Sequence, residues 1–161
     1  MGNDLRKDLI RTTKKLEKLL KVYESKEVKK ILRKSAAPLR KAARSNIDDA
    51  SKEVKRYSGG KVVAIYNPGN LRRSIKILTF RRSKFAVFVG PQVGKAGSKE
   101  YGRPGQPVDG FYAHMVEFGT VNSRANPYMR PAFSKTKGRI IQIATQQIRK
   151  KSIRHKRTNG L

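Results

Sequence analysis

Ser74-Ile75-Lys76-Ile77-Leu78-Thr79-Phe80, then Arg81-Arg82-Ser83-Lys84, then Phe85-Ala86-Val87-Phe88-Val89, is the stretch on which the fold class turns. In its first part Ile75, Ile77 and Thr79 fall on one side and Lys76, Leu78 and Phe80 on the other. A side-chain period of two is that of a strand, not of a helix. The last part is rich in β-branched and aromatic residues, and a short polar segment separates the two. The spacing predicts a hairpin, Ser74–Phe80 with Phe85–Val89, stopped by Gly90-Pro91. Just upstream, Val62–Tyr66 is apolar and reads as a further short strand or an extended loop segment.

Towards the N-terminus the period changes. Leu5, Leu9, Leu16, Leu19, Leu20 and Tyr23 recur at helical spacing, so Asp4 to Glu24 reads as a helix, with residues 1–25 as an N-terminal helical extension. A second helix is expected from about Lys26 to Arg56, its apolar stripe formed by Val28, Ile31, Leu32, Leu39, Ala42, Ala43, Ile47, Ala50 and Val54. Pro38 lies inside it and predicts a kink or break near Ala36-Ala37, because proline removes a helical donor and clashes with the preceding turn. Ser58-Gly59-Gly60 reads as a flexible stop.

Downstream, residues 94–110 hold Gly94, Gly97, Gly102, Gly105 and Gly110 with Pro104 and Pro107, which predicts a long exposed loop rather than a packed element. Phe111 to Phe118 fits a two-turn helix ended by Gly119 in a left-handed conformation, and strict alternation would equally make it a strand; the helix is the preferred reading. Asn126-Pro127 and Arg130-Pro131 bracket a tight connection. From Pro131, a suitable first helical residue, a last helix is expected to about Ile153, burying Ala132, Phe133, Ile140, Ile141, Ala144 and Ile148. The whole is one α+β domain: long N-terminal helices, a small antiparallel sheet with a hairpin, a short helix and a C-terminal helix. Residues 26–153 form its core and 154–161 a basic disordered tail.

Charge narrows the function. The chain has 161 residues and a formal net charge of +28. So many like charges oppose compaction unless a polyanion or an acidic partner neutralises them, and nucleic acid is the first candidate because neutralised phosphates release counterions. The distribution is uneven: Val54 to Lys99 contains no Asp or Glu, and neither does Phe118 to Leu161. The densest clusters are Arg72-Arg73, Arg81-Arg82-Lys84 and the run containing Arg149, Lys150, Lys151, Arg154 and Arg157. These are the candidate contacts to DNA phosphates or to acidic neighbouring subunits, acting through backbone charge, since no helix-turn-helix, zinc-finger or aromatic RNA-binding signature is present. No apolar stretch is long enough to span a bilayer, so no membrane partner is expected. The N-terminus lacks the apolar core of a secretory signal, which predicts a protein that stays in the compartment that makes it.

The chain has no cysteine and two histidines, His114 and His155, far apart, so neither thiolate nor histidine metal spacing exists and no cofactor is expected. His114 and Glu117 would share a helix face, where a local hydrogen bond or a packed histidine is the simpler account than acid–base work. No phosphate loop and no Gly-x-Ser-x-Gly elbow occurs. A nuclease would suit the charge but needs a carboxylate cluster, and the basic part of the chain has only Glu100, Asp109 and Glu117. The expectation is therefore a protein that is not an enzyme.

Two stretches carry a resemblance. Gly69-Asn70-Leu71-Arg72-Arg73-Ser74-Ile75 is a Gly-x-Leu-x-x-Ser-Ile lead into a strand. Tyr112-Ala113-His114-Met115-Val116-Glu117-Phe118-Gly119-Thr120, followed by Ala125-Asn126-Pro127-Tyr128-Met129-Arg130-Pro131-Ala132-Phe133, is similar to the Tyr-Ala-x-x-Val-Glu-Phe-Gly-Thr … Pro-Phe-Met-Arg-Pro-Ala pattern of the lambdoid-phage gene-product-ten-like family of neck and tail-completion proteins. The resemblance covers about Glu27 to Lys150. The N-terminal helix, the glycine-rich segment and the basic tail look like additions, and Tyr128 stands where the family more often has phenylalanine. The resemblance implies a small α+β subunit of a ring, six-fold by expectation, at the head–tail junction of the virion, assembled in the host cytoplasm. Its partners would be connector or stopper and tail-tube proteins, with DNA in the lumen. The residues it singles out for subunit packing are Leu71, Ser74, Tyr112, Glu117, Phe118, Gly119, Thr120, Pro127, Arg130 and Pro131, with Tyr112, Val116 and Phe118 under the sheet and Glu117 suited to an ion pair with Arg130 or with an arginine of an adjacent subunit. The alternative, from charge alone, is a free sequence-independent nucleic-acid-binding protein of nucleoid or ribosomal type.

Overall fold

The computed structural model describes residues 25–48, 52–79, 85–94 and 99–158. The helix expected over Asp4–Glu24 lies outside them, as do Ala50 and the Arg81-Arg82-Lys84 cluster. The elements are α1 (Ser25–Ser45), β1 (Val54–Ser58), β2 (Lys61–Tyr66), α2 (Asn70–Ser74), β3 (Ile75–Leu78), β4 (Phe88–Pro91), β5 (Glu100–Tyr101), α3 (Ala113–Phe118) and α4 (Met129–Thr158). The class is α+β, as the sequence suggests.

Helix α1 buries Val28, Ile31, Ser35, Ala36 and Ala43 along one stripe, and Ile47 just past its end. It packs on α4, the most extensive contact between elements, and on β3 and β4. Pro38 does not break it; the helix runs on to Ser45. A proline inside a helix costs about 3 kcal/mol, and packing on both flanks of Pro38 offsets it. The helix also ends earlier than its apolar pattern suggests. Asn46 and Ile47 turn inward: the Asn46 side-chain amide donates to the Tyr128 carbonyl at 3.1 Å, and Arg72 donates to the Ile47 carbonyl at 2.7 Å.

Residues Val54 to Arg56, expected to end that helix, instead belong to β1, which pairs antiparallel with β2. The reason is the turn between them. Gly59 (φ 55°) and Gly60 (φ 74°) both take positive φ, the requirement of a two-residue type I′ hairpin loop, so this pair is a tight turn rather than a flexible stop. Strand β2 confirms the strand reading of Val62–Tyr66 and pairs on its other edge, in parallel, with β5. Residues Glu100 and Tyr101, in the segment read as an exposed loop, thus complete a three-stranded sheet. Tyr101, Gly102, Asp109 and Gly110 are buried. The second sheet is the expected hairpin, shortened: Ile75–Leu78 with Phe88–Pro91, Ile75 opposite Pro91 and Leu78 opposite Phe88. Ser74 ends α2 instead of opening the strand, and Ala86 and Val87 lie outside β4.

Helix α4 starts at Met129, two residues before Pro131, and continues to Thr158, so residues 154–158 are helical rather than a disordered tail. Ala132 is fully buried, but Phe133 (54% exposed) and Ile141 (66%) are not. The face that meets α1 runs through Ala132, Thr136, Ile140, Ile143 and Gln147, and those two, each one residue further on, are rotated about 100° away from it. The main core joins Ala43, Ile47, Leu71, Ile75, Ala113, Tyr128 and Ala132; a smaller one holds Ala64, Tyr66 and Tyr101. Tyr112 packs against both and bridges them.

Gly110 sits where the two sheets meet, and a Cβ there would lie 2.3 Å from Pro91 Cβ and 2.9 Å from Ser74 Oγ. Gly110→Ala is therefore expected to destabilise the chain by about 1–3 kcal/mol, read as a lowered urea midpoint at unchanged slope.

Candidate functional site

Helix α4 begins after Pro127 with no side chain of its own to cap it. The cap comes from α3. The buried Glu117 carboxylate accepts the backbone N–H groups of Tyr128 and Met129 at 2.8 Å each through Oε2, and that of Arg130 at 3.1 Å through Oε1. These are the orphan donors of the first turn, and a carboxylate at a helix N-terminus also complements its dipole. Burial pushes the Glu117 pKa up, but the three N–H donors and the nearby Arg130 charge outweigh it and hold the group below its ordinary value. Glu117 thus serves as a cap, and of the two ion pairs the sequence suggested, with Arg130 or with an arginine of an adjacent subunit, the one with Arg130 gives way to the bond from the Arg130 backbone N–H. The Arg130 guanidinium lies over the Phe118 ring, 4.8 Å from its centroid. Phe118 is 62% exposed and does not pack under the sheet.

The rest of the motif builds the turn around that cap. Gly119 ends α3 with φ 78° and ψ −178°, extended rather than left-handed helical, and accessible essentially to glycine alone. A Cβ there would lie 2.8 Å from the Ala125 nitrogen. Thr120 bridges Ser123 and its hydroxyl accepts the Asn122 N–H at 3.3 Å. The chain returns so that Asn126 N–H donates to the Val116 carbonyl at 2.8 Å. Pro127 and Pro131 are exposed at the surface of this turn. Tyr128 is buried, and burial first, then the Glu117 charge, raises its phenol to about 12. The His114 ring nitrogen lies 3.1 Å from the Phe111 carbonyl, a local hydrogen bond made away from Glu117.

A second buried carboxylate, which sequence reading noted only as an isolated acid, ties the first motif to the second. Asp109 accepts the Tyr66 hydroxyl at 3.1 Å, the Gly94 N–H at 2.8 Å and the Phe111 N–H at 3.1 Å. Asn70, 1% exposed, exchanges two hydrogen bonds with the Asp109 backbone and donates to the Tyr112 hydroxyl at 3.2 Å. Tyr112 in turn sits edge-on to Tyr66, centroids 4.9 Å apart. Leu71 and Ser74 are buried beside them, Ser74 donating to the Leu71 carbonyl at 2.7 Å. The Gly-x-Leu-x-x-Ser-Ile and Tyr-Ala-x-x-Val-Glu-Phe-Gly-Thr motifs are therefore two sides of one core. The signal that could have revealed Asn70 and Asp109 is the polar residue inside an apolar motif, but its partner lies 39 positions away.

The basic residues divide. Arg72 is bound to the Ile47 carbonyl and Arg73 to the Pro68 carbonyl, so both brace α2. Arg44 donates to the Ile75 carbonyl at 2.8 Å, and burial, then Arg40, lowers its pKa. Elsewhere the cations line the helix pair. Lys30, Lys34, Lys150, Lys151 and Arg154 surround a cleft of about 300 Å³ between α1 and α4, with Glu27 paired to Lys151. Lys26, Lys29, Arg33, Arg40 and Lys41 continue along α1, and Arg149 is exposed on α4. Arg157 falls within the α4 span. Among the described residues no group of His, Asp and Glu could hold a metal ion, and no helix is long and apolar enough to cross a membrane.

Residues 7–119 match the family model described as "Bacteriophage HK97-gp10, putative tail-component". The chain belongs to the HK97-gp10-like family. The match begins upstream of Glu27, so most of the expected N-terminal extension and the glycine-rich segment fall inside the family span, whereas Pro127–Ala132 and α4 lie beyond it. No curated protein and no solved structure matches the chain.

Replacing Glu117 with Ala strands three backbone donors and is expected to cost about 3 kcal/mol; Glu117→Gln keeps the shape and should lose less. Because the folded pKa is depressed, this stabilisation is present above the ordinary carboxylate value of 4.5 and is lost as pH falls through the lower folded value. Urea unfolding across that range should show a steeper acid loss in the native chain than in Glu117→Gln.

Proposed function

We propose that this member of a phage tail-component family is a non-catalytic structural protein of the virion neck, a ring-forming tail-completion subunit that encloses DNA. The family match carries the assignment to the tail. The α1–α4 face supports the finer reading. These packed helices carry Lys26, Lys29, Lys30, Arg33, Lys34, Arg40 and Lys41 on one, and Lys135, Lys137, Arg139, Arg149, Lys150, Lys151 and Arg154 on the other, against the single acid Glu27. A face of that kind attracts phosphates whatever the base sequence, and a heterologous interface between subunits closes into a ring when its rotation permits. Connector or stopper and tail-tube proteins are the neighbours such a ring would need, six copies being the expected number.

Negative-stain microscopy of the protein mixed with its neighbouring virion proteins should show closed rings; a persistent monomer with every neighbour would sink the proposal. Tight duplex binding by an isolated monomer would favour the nucleic-acid-binding alternative instead. For the DNA-facing surface, Lys30→Gln, Lys34→Gln, Lys150→Gln and Arg154→Gln together should flatten the dependence of log affinity on log salt, by about 0.9 for each phosphate that the variant no longer neutralises. An unchanged slope would mean that DNA meets another surface.

A further inference from the structure

A groove of about 520 Å³ opens between β1 and α3. Its lining is mostly apolar: Val54, Phe111, Met115 and Val116 with the rings of Tyr66 and Tyr112. Val54 is 54% exposed, Phe111 42% and Met115 40%, an unusual amount of free apolar surface for so charged a chain. One wall is β1, the end strand in the order β1-β2-β5, all five of whose residues are exposed. Among the described residues no strand pairs with its outer edge.

The charged lining residues are Lys55, Arg56 and Arg124, and none is acidic. Lys55 is paired with Glu53 at 3.3 Å, and Arg56 lies over the Phe111 ring at 4.4 Å. Nearby Asp48 is taken up by the Asn126 side-chain amide, and Asp109 is buried beneath Tyr66. The rim is therefore cationic. Duplex DNA gains nothing from apolar walls, whereas a cationic rim around an apolar groove complements an occupant that is apolar and acidic together.

We infer that this groove and the free edge of β1 form a docking site for an extended, acidic segment of another protein, one that adds a strand to β1, places alternate apolar side chains in the groove and sets carboxylates at the ends of that strand against Arg124 and Arg56. Strand addition supplies main-chain hydrogen bonds while the pockets supply selectivity.

The test uses the full chain and a fluorescein-labelled peptide of alternating valine and threonine with glutamates at both ends, followed by fluorescence anisotropy. Saturable binding is expected, weakened about tenfold by Met115→Glu, by Val54→Glu and by Arg124→Glu. All three positions are exposed, so their urea midpoints should stay native. Lys30→Gln with Arg154→Gln should leave binding intact, and the same peptide N-methylated on alternate amides should bind at least about tenfold less tightly. Binding that follows the helix-face variant instead, or that ignores N-methylation, overturns the inference. So does a groove substitution that turns an oligomer of the protein alone into monomer by sedimentation, because the groove would then be covered by another copy.

Discussion

The fold depends on one carboxylate. Glu117 stands at the end of a short helix that could not persist alone, and its two oxygens collect the N–H groups of Tyr128, just before α4, and of Met129 and Arg130, its first two residues. That contact fixes where the thirty-residue helix starts and which way it points. From there Ala132 meets the main core alongside Ala43, both fully buried, and two strongly basic helices lie against each other. The seam is made of small side chains and the aliphatic residues Ile31, Ile140 and Ile143, leaving lysine and arginine at its margins. Asn46, donating to the Tyr128 carbonyl, closes the loop by holding the end of α1 to the start of α4.

The same economy governs the acids. After Val54 the chain has only Glu100, Asp109 and Glu117. Two of them are buried, and both direct their oxygens at backbone N–H groups. They therefore hold turns together without neutralising the outer surface to any great extent, and the back half keeps the positive field its composition implies. Among the described residues Glu27 relieves the helix face, through Lys151. A surface so arranged is stable in isolation chiefly by screening and is better satisfied by an anionic neighbour. The groove beside β1 is a different kind of surface, apolar within a cationic rim, and it asks for a different kind of partner.

Much of this was legible from local pattern. The alternation of Ile75 to Leu78 and the β-branched run to Val89 gave a hairpin, Phe111–Phe118 gave a short helix, and the family motifs led to the family that residues 7–119 match. Errors came where a local signal met a tertiary partner. Val54 continued the helical stripe of α1 but pairs with Tyr66 in a sheet, because Gly59-Gly60 turns the chain back on itself. Pro38, read as a kink or a break, leaves the helix continuous to Ser45. The glycine-rich segment looked unstructured, yet Tyr101 joins a strand and Gly110 lets the backbone pass close to Pro91.

The sequence by itself determined the class of the fold, the family and the sign of the surface, since periodicity, motif and charge are all properties of neighbouring residues. Only the tertiary structure decided what the motif residues do. Glu117, whose helix-capping partners lie 11 to 13 positions on, and Asp109, met by Asn70 from 39 positions away, act through geometry that no spacing encodes. The structure likewise decided which arginines are free to meet a partner: Arg72 and Arg73, adjacent and alike in the sequence, are drawn to carbonyls of their own chain because the turn between β2 and β3 brings those carbonyls within reach.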